Sequence, residues 1–296
     1  MLKLNQHTLS KPINFKGYGL HTGKKCTVKI LPGEASQGII FKRVDLKEKN
    51  IIKADYNNIS STVLCSTLKN FSGTKVSTIE HLLAAFYITE IDNIIVEIDN
   101  EEIPIMDGSS KEFIHILEIA GTKKQKKKRK YLKILDKIEL KHENKNISIE
   151  PSEMGFEVQF QLNYENPIIK DQKNCVNFSY DNLKDVYSSR TFCLFEDIEK
   201  IKKIGLARGG SLKNAIVVGE NKILNEEGLR NENEFVNHKI LDLAGDFLLS
   251  GYRILGKVKC YQGGHNLSNM FLKKLLKLKS SFALIEIEHN KSTNNT

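Results

Sequence analysis

His238 and Asp242 stand four residues apart in the stretch FVNHKILDLAGDFLLSGY. One neutral imidazole and one carboxylate on adjacent turns of a helix would offer two ligands to a metal ion. The apolar residues Phe235, Ile240, Leu241, Leu243, Phe247 and Leu248 recur at helical spacing, which sends both polar side chains from one face. Asp246, a turn further on, lies near the same line and could hydrogen-bond a group beside the metal. Taken alone, HxxxD is also the ordinary solvated stripe of an amphipathic helix, so the pattern needs a partner.

That partner is sought in VSTIEHLLAAFYIT, where Ser77 or Thr78 can cap a helix whose first turn holds Glu80 and His81. Glu80 could serve only the helix dipole and His81 only the packing. Together they have the form of a ligand with its general base next door. His265, in GGHNLSN, falls at a helix start, where it could cap the turn or meet an oxyanion. His21, between glycines in GYGLHTG, is either a structural turn residue or the edge of a site.

The elements that must position these residues are short. Residues 1–60 alternate β-rich runs with turn residues, and IDNIIVEID, a strand pair and KEFIHILEIAG follow the Glu80 helix, with Asp107–Ser110 placed to cap it. The second half repeats this plan: a hairpin turning at Glu143-Asn144-Lys145, the alternating strands EVQFQLNYENP and NCVNFSY, a helix leading into Arg190-Thr191-Phe192, and a lysine-studded helix. A glycine-rich turn at Gly209-Gly210 comes next, then a strand, the His238 helix, another strand and a final amphipathic helix. The expected class is α+β, with mainly antiparallel sheets layered with helices. Two domains are expected, 1–122 and 131–296, joined by a solvated basic linker at 123–130.

At 296 residues and 40% hydrophobic the chain can bury two cores. No run of eighteen apolar residues and no secretory core is present, so the expectation is a cytoplasmic protein with no transmembrane segment. Five scattered cysteines without a CxxC pair argue against a disulfide framework or a thiolate zinc cluster. The formal net charge of +9 resides largely in KKQKKKRK, Lys123–Lys130, whose seven basic residues leave only +2 for the rest. A solvated connector is the first reading of that run, with weak contact to an anionic membrane surface or to phosphates as the alternatives. No interleaved aromatics, zinc-finger or RNP pattern accompanies it, so no nucleic-acid partner is expected.

Taken in order, GYGLHTG, STIEHLLAA, EIPIMDGSS, RTFC, GGSLKNAIVV, GLRNENEFVNHKILDLAGD and GGHNLSN resemble the UDP-3-O-acyl-N-acetylglucosamine deacetylases over nearly the whole chain. The resemblance implies one catalytic zinc, or Fe2+, held by His81, His238 and Asp242. It implies Glu80 as general base and His265 as the group that stabilises the oxyanion and protonates the leaving amine, with Asp246 orienting it. Thr191 would donate to the oxyanion and Lys239 would meet substrate phosphate or hydroxyl oxygens. Phe192 would pack on the sugar, Tyr164 on uracil, Gly210 would adjoin the substrate, and an insert at 198–218 would wall an acyl passage. It further implies two similar domains with the active site at their interface, a UDP-linked acylated amino sugar as substrate, a Gram-negative type of cell and a monomer. Gln262, Asn163 and Asn166 depart from the residues common in that family at nucleotide-side positions. Three rival readings are a zinc amidohydrolase with another N-acyl substrate, a basic nucleic-acid-binding protein, and a metal-free interaction protein.

Overall fold

The computed structural model describes residues 2–288; Met1 and residues 289–296, the last of the expected second unit, lie outside the described residues. The first half runs β1 (Asn5–Leu9), β2 (Ile13–Tyr18), β3 (Lys25–Pro32), β4 (Ile39–Arg43) and β5 (Ile51–Lys53). Three short strands follow, β6 (Ile59–Ser61), β7 (Thr67–Lys69) and β8 (Lys75–Val76), before helix α1 (Glu80–Ile88), β9 (Ile94–Ile98), α2 (Lys111–Ala120) and β10 (Thr122–Lys128). The five-stranded sheet has the order β2-β3-β9-β4-β5, antiparallel except for β4 against β9. Alternation decides which face is buried: Cys26, Val28 and Ile30 of β3 and Ile94, Val96 and Ile98 of β9 all point into the core.

The second half contributes β11 (Lys130–Ile134), β12 (Ile138–His142), β13 (Lys145–Glu150), β14 (Phe156–Asn163) and β15 (Asp171–Asn177). Then come α3 (Lys184–Tyr187), β16 (Phe192–Leu194), α4 (Ile198–Lys203), β17 (Ile216–Val218), α5 (Glu234–Leu248), β18 (Arg253–Tyr261), α6 (His265–Lys277) and β19 (Phe282–Glu286). A seven-stranded sheet runs β12-β13-β18-β11-β19, with β14 and β15 joined through β18. The chain is thus α+β with mainly antiparallel sheets, as the alternating runs indicate. Among the described residues, no helix is long and apolar enough to cross a membrane.

Two local expectations are corrected and a third is narrowed to one residue. Residues 123–128, read as a solvated linker, form β10 and pair antiparallel with β1, because Asn5 donates to the carbonyls of Gln125 and Lys126 and holds the run in a strand. Neither Ser77 nor Thr78 caps α1: Ile79 occupies the cap position, while Thr78 is left-handed, φ 57°, and gives its hydroxyl to Glu102. Within Asp107–Ser110 the start of α2 is served by Ser109, whose hydroxyl accepts the Lys111 N–H at 3.1 Å, while the Ser110 hydroxyl is spent on the carbonyl of His81 at 2.7 Å.

Helices α1 and α5 pack against each other and are buried on all sides; within α5 only Lys239 is partly exposed. A solvated polar stripe is therefore not what His238, Asp242 and Asp246 form. The contact is close because Gly245 carries no side chain: a Cβ there would strike the Glu80 carbonyl oxygen and come within 3.2 Å of the Ala84 nitrogen. The obstacle is backbone and cannot rotate away. Gly245→Ala is expected to lower the stability of the folded chain by about 1–3 kcal/mol, the usual range for overpacking, read as a lower urea midpoint; an unchanged midpoint would show that the two helices do not meet at this distance.

Candidate metal and acid–base site

Helix α5 presents His238, Asp242 and Asp246 on successive turns toward the first turn of α1, which carries Glu80 and His81. The Nε2 atoms of His81 and His238 lie 3.5 and 3.4 Å from Oδ1 of Asp242. Ligand atoms 2.0–2.1 Å from a tetrahedral zinc stand roughly 3.3–3.4 Å apart, so the spacing is that of a ligand set. The three side chains form a buried group whose ligand atoms all fall within 4.8 Å of one another. Asp242 Oδ1 and His81 Nδ1 are buried with no protein partner, a state that is costly unless something else satisfies them.

The surroundings set the protonation states that such a set requires. His238 donates its Nδ1–H to the Ser189 carbonyl at 3.1 Å, since a carbonyl can only accept; the Nε2 lone pair then faces Asp242. Burial holds the His238 pKa down to about 3, so the ring is neutral. Burial would raise Asp242, but the cationic Lys239 and His265 beside it outweigh that and keep the carboxyl well below the usual range. Lys239 reaches the other oxygen, Oδ2, at 2.9 Å and leaves Oδ1 free. These residues fit a divalent cation.

On the other side stand Glu80 and His265. His265 begins α6, and its Nδ1 meets Asp246 Oδ2 at 2.9 Å, while Ser66 donates to Asp246 Oδ1 at 2.6 Å. The ring's Nε2 faces Glu80 Oε1 at 3.8 Å and Asp242 Oδ2 at 3.9 Å. Burial would depress this imidazole, but the carboxylates of Asp246, Glu80 and Asp242 offset it and push its pKa up to about 10. Glu80 is fixed by the Ser66 backbone N–H at 3.0 Å, and burial raises its pKa. A basic carboxylate and a cationic imidazole therefore flank the ligand set, an arrangement able to take a proton on one side and give one on the other.

Glu80, His81, His238, Asp242, Asp246 and His265 are all brought together. Phe192 stands beside them, its ring 6.4 Å from His238, 6.1 Å from Tyr164 and 5.5 Å from the Lys239 ammonium. Thr191 is held by its backbone between Gly108 and Ile216, and among the described residues its hydroxyl makes no hydrogen bond. Gly210 lies in the turn after α4, where Gly209 and Arg208 are tied to the carbonyls of Leu20 and His21. His21 is buried; Glu102 accepts its backbone N–H at 2.8 Å and also that of Thr22.

Several contacts were not singled out in the sequence. Ser66 serves Glu80 and Asp246 at once, yet a serine in CSTLKN has no signal of its own. Glu102 anchors the His21 turn and Thr78, but it reads as one more acid in DNEEIP. Arg190 and Glu234, both buried, form an ion pair at 2.8 Å that fixes the chain beside Ser189 and so the acceptor of His238. Their spacing in sequence, 44 residues, hides the pair.

A buried two-histidine, one-carboxylate set that could hold a metal ion, with an acid and a base beside it, has the make-up of a hydrolase site. Residues 6–277 match the family model described as UDP-3-O-acyl N-acetylglycosamine deacetylase. Proteins named UDP-3-O-acyl-N-acetylglucosamine deacetylase are similar along nearly their whole length. That of Geobacter sp. (strain M21) is 42% identical over 282 residues, 95% of this chain and 92% of the relative. That of Shewanella frigidimarina is 40% identical over 286 residues, 96% and 93%; that of Idiomarina loihiensis is 38% identical over 293 residues, 98% and 95%. The chain belongs to the UDP-3-O-acyl-N-acetylglucosamine deacetylase family.

Removing the Glu234 carboxylate strips the buried Nε of Arg190 of its partner and leaves Glu227 and the Gly228 carbonyl to hold only the outer end of the guanidinium. Glu234→Ala is expected to cost about 3–5 kcal/mol, measured by chemical denaturation, whereas Glu227→Ala, at the exposed end of the same arginine, is expected to leave the denaturation midpoint nearly where it is. Equal losses in the two variants would contradict the assignment of the pairing energy to Glu234.

Proposed function

We propose that this chain hydrolyses the N-acetyl group of a UDP-3-O-(3-hydroxyacyl)-N-acetylglucosamine, giving the free amine and acetate, a step of lipid A biosynthesis. The observation that carries this reading is the convergence of His81, His238 and Asp242 between Glu80 and His265 in a chain of the deacetylase family. The cation is zinc by the ligand types, one per chain, and the same donors accommodate Fe2+. The protein works as a monomer in the cytoplasm, built from domains 1–122 and 131–296 that meet at the site.

A divalent cation held by the three ligands supplies the acidity that makes water a nucleophile near neutral pH and the charge that polarises an amide carbonyl. Glu80 takes the proton of the attacking water, its basicity raised by burial. His265, cationic between Asp246, Glu80 and Asp242, stabilises the oxyanion and gives its Nε2 proton to the departing amine. Asp246 orients that ring through Nδ1. Thr191 donates to the same oxyanion, and Lys239 meets substrate oxygens. Phe192 packs on the sugar, Tyr164 lies toward the uracil, Gly210 lets substrate approach the backbone, and residues 198–218 wall the acyl passage.

Acetate release from the acylated sugar nucleotide should vanish on chelation and return with zinc. Glu80→Ala and His265→Ala should each lower kcat by about 10²–10⁴ while retaining about one metal per chain, whereas His238→Ala should lose the metal itself. Metal binding without acetate release would move the assignment to another N-acyl substrate. The alkaline limb of the pH profile reports loss of the His265 proton, so Asp246→Asn, which removes a carboxylate that raises this pKa, should move that limb to lower pH. A limb that stays in place would assign it to a different group.

A further inference from the structure

The densest charge in the chain lies outside the site. Lys123, Lys124, Lys126, Lys127, Lys128 and Lys130 are all exposed, and among the described residues none makes an ion pair, while Arg129 in their midst is buried and paired with Asp92 at 2.7 Å. Five of them lie on β10 and Lys130 opens β11; β10 is clamped from behind. Gln125 donates to the Gly33 carbonyl at 2.9 Å and accepts from Asn93 at 2.7 Å; Arg129 donates to the Glu90 carbonyl at 2.8 Å. Asn5 spans the irregular register between β1 and β10 by donating to the Gln125 and Lys126 carbonyls. The lysines are therefore presented by a fixed ribbon.

We propose that the β1–β10 ribbon is a docking surface for an anionic phospholipid bilayer. At roughly 3.3 Å per residue, the charges are spread over about 25 Å, with neighbours well inside the Debye length. That is a broad field of point charges suited to a diffuse anionic surface. Lysine ammonium groups lack the planar fork that selects individual phosphates. Neither strand, NQHTL or TKKQKKK, contains a Phe, Tyr or Trp on which bases could stack, so a single-stranded nucleic acid is the poorer match. Ile119, 53% exposed near the end of α2 and three residues before the ribbon, offers an apolar side chain that can enter the interfacial region. Resting on the proposed acylated substrate, residence at a lipid surface would also place the enzyme where an amphiphile with a long chain partitions.

Sedimentation of the full chain with vesicles tests this. Binding is expected to phosphatidylcholine vesicles containing about a third phosphatidylglycerol and not to phosphatidylcholine alone, weakening from about 50 to about 200 mM salt. Each lysine near an anionic surface contributes about fivefold in binding, so the combined change of Lys123, Lys124, Lys126, Lys127 and Lys128 to Gln should weaken it at least a hundredfold. The same five changed to Arg should bind as the parent does, which excludes loss through misfolding. Neutralising Lys47, Lys49, Lys53, Lys141 and Lys145 instead removes the same net charge from elsewhere and should leave most of the binding. Absence of binding to the anionic vesicles, equal loss in both Gln sets, or tighter binding of a single-stranded RNA through the ribbon lysines would each overturn the proposal. Vesicle binding is read without turnover, so its failure leaves the deacetylase reading standing, and loss of acetate release leaves a positive vesicle result intact.

Discussion

The structure depends on two helices meeting without a side chain between them. Helix α1 can bring Glu80 and His81 against Asp242 and Asp246 only because Gly245 yields its space to the Glu80 carbonyl. Both helices are buried almost entirely, so their polar residues have no water to turn to and must satisfy one another or a cation. Packing thus comes first, and the site's electrostatics follow from it. Burial neutralises His238, and three carboxylates in the same enclosure hold His265 charged.

A layer of less conspicuous residues keeps this arrangement in register. Ser66 fixes Glu80 through its backbone and Asp246 through its hydroxyl, linking the base to the group behind the acid. Ser110 ties the carbonyl of His81 to the start of α2. The Arg190–Glu234 pair positions the turn whose Ser189 carbonyl accepts the His238 hydrogen bond. Each of these contacts joins segments distant in sequence, so the site is held from several directions rather than by α1 and α5 alone.

How much of this was legible in the sequence follows from range. Periodicity and spacing are local, and they placed His238, Asp242 and Asp246 on one helix and Glu80-His81 at the start of another. Alternation likewise identified strands such as β3, β9 and β14. The ordered motifs supplied the family and, through it, His265 as a partner for Asp246. Thr78 was misread as a cap because propensity cannot register the pull of Glu102 on its hydroxyl. The basic run was misread as a connector because lysine repels strand formation in isolation, and the pairing with β1 that overrides this lies more than a hundred residues away. Ser66 and Glu234 were invisible for the same reason: their roles exist only in three dimensions.

That pairing of β1 with β10 has a consequence for synthesis. Gln6 bonds the carbonyl of Lys128, 122 residues later, so β1 cannot find its partner until the residues between them have been polymerised. At about 5–20 residues per second, this is a wait of roughly 6–25 s. Through that interval β1 is an unpaired edge with Leu9, fully buried in the finished protein, open to solvent.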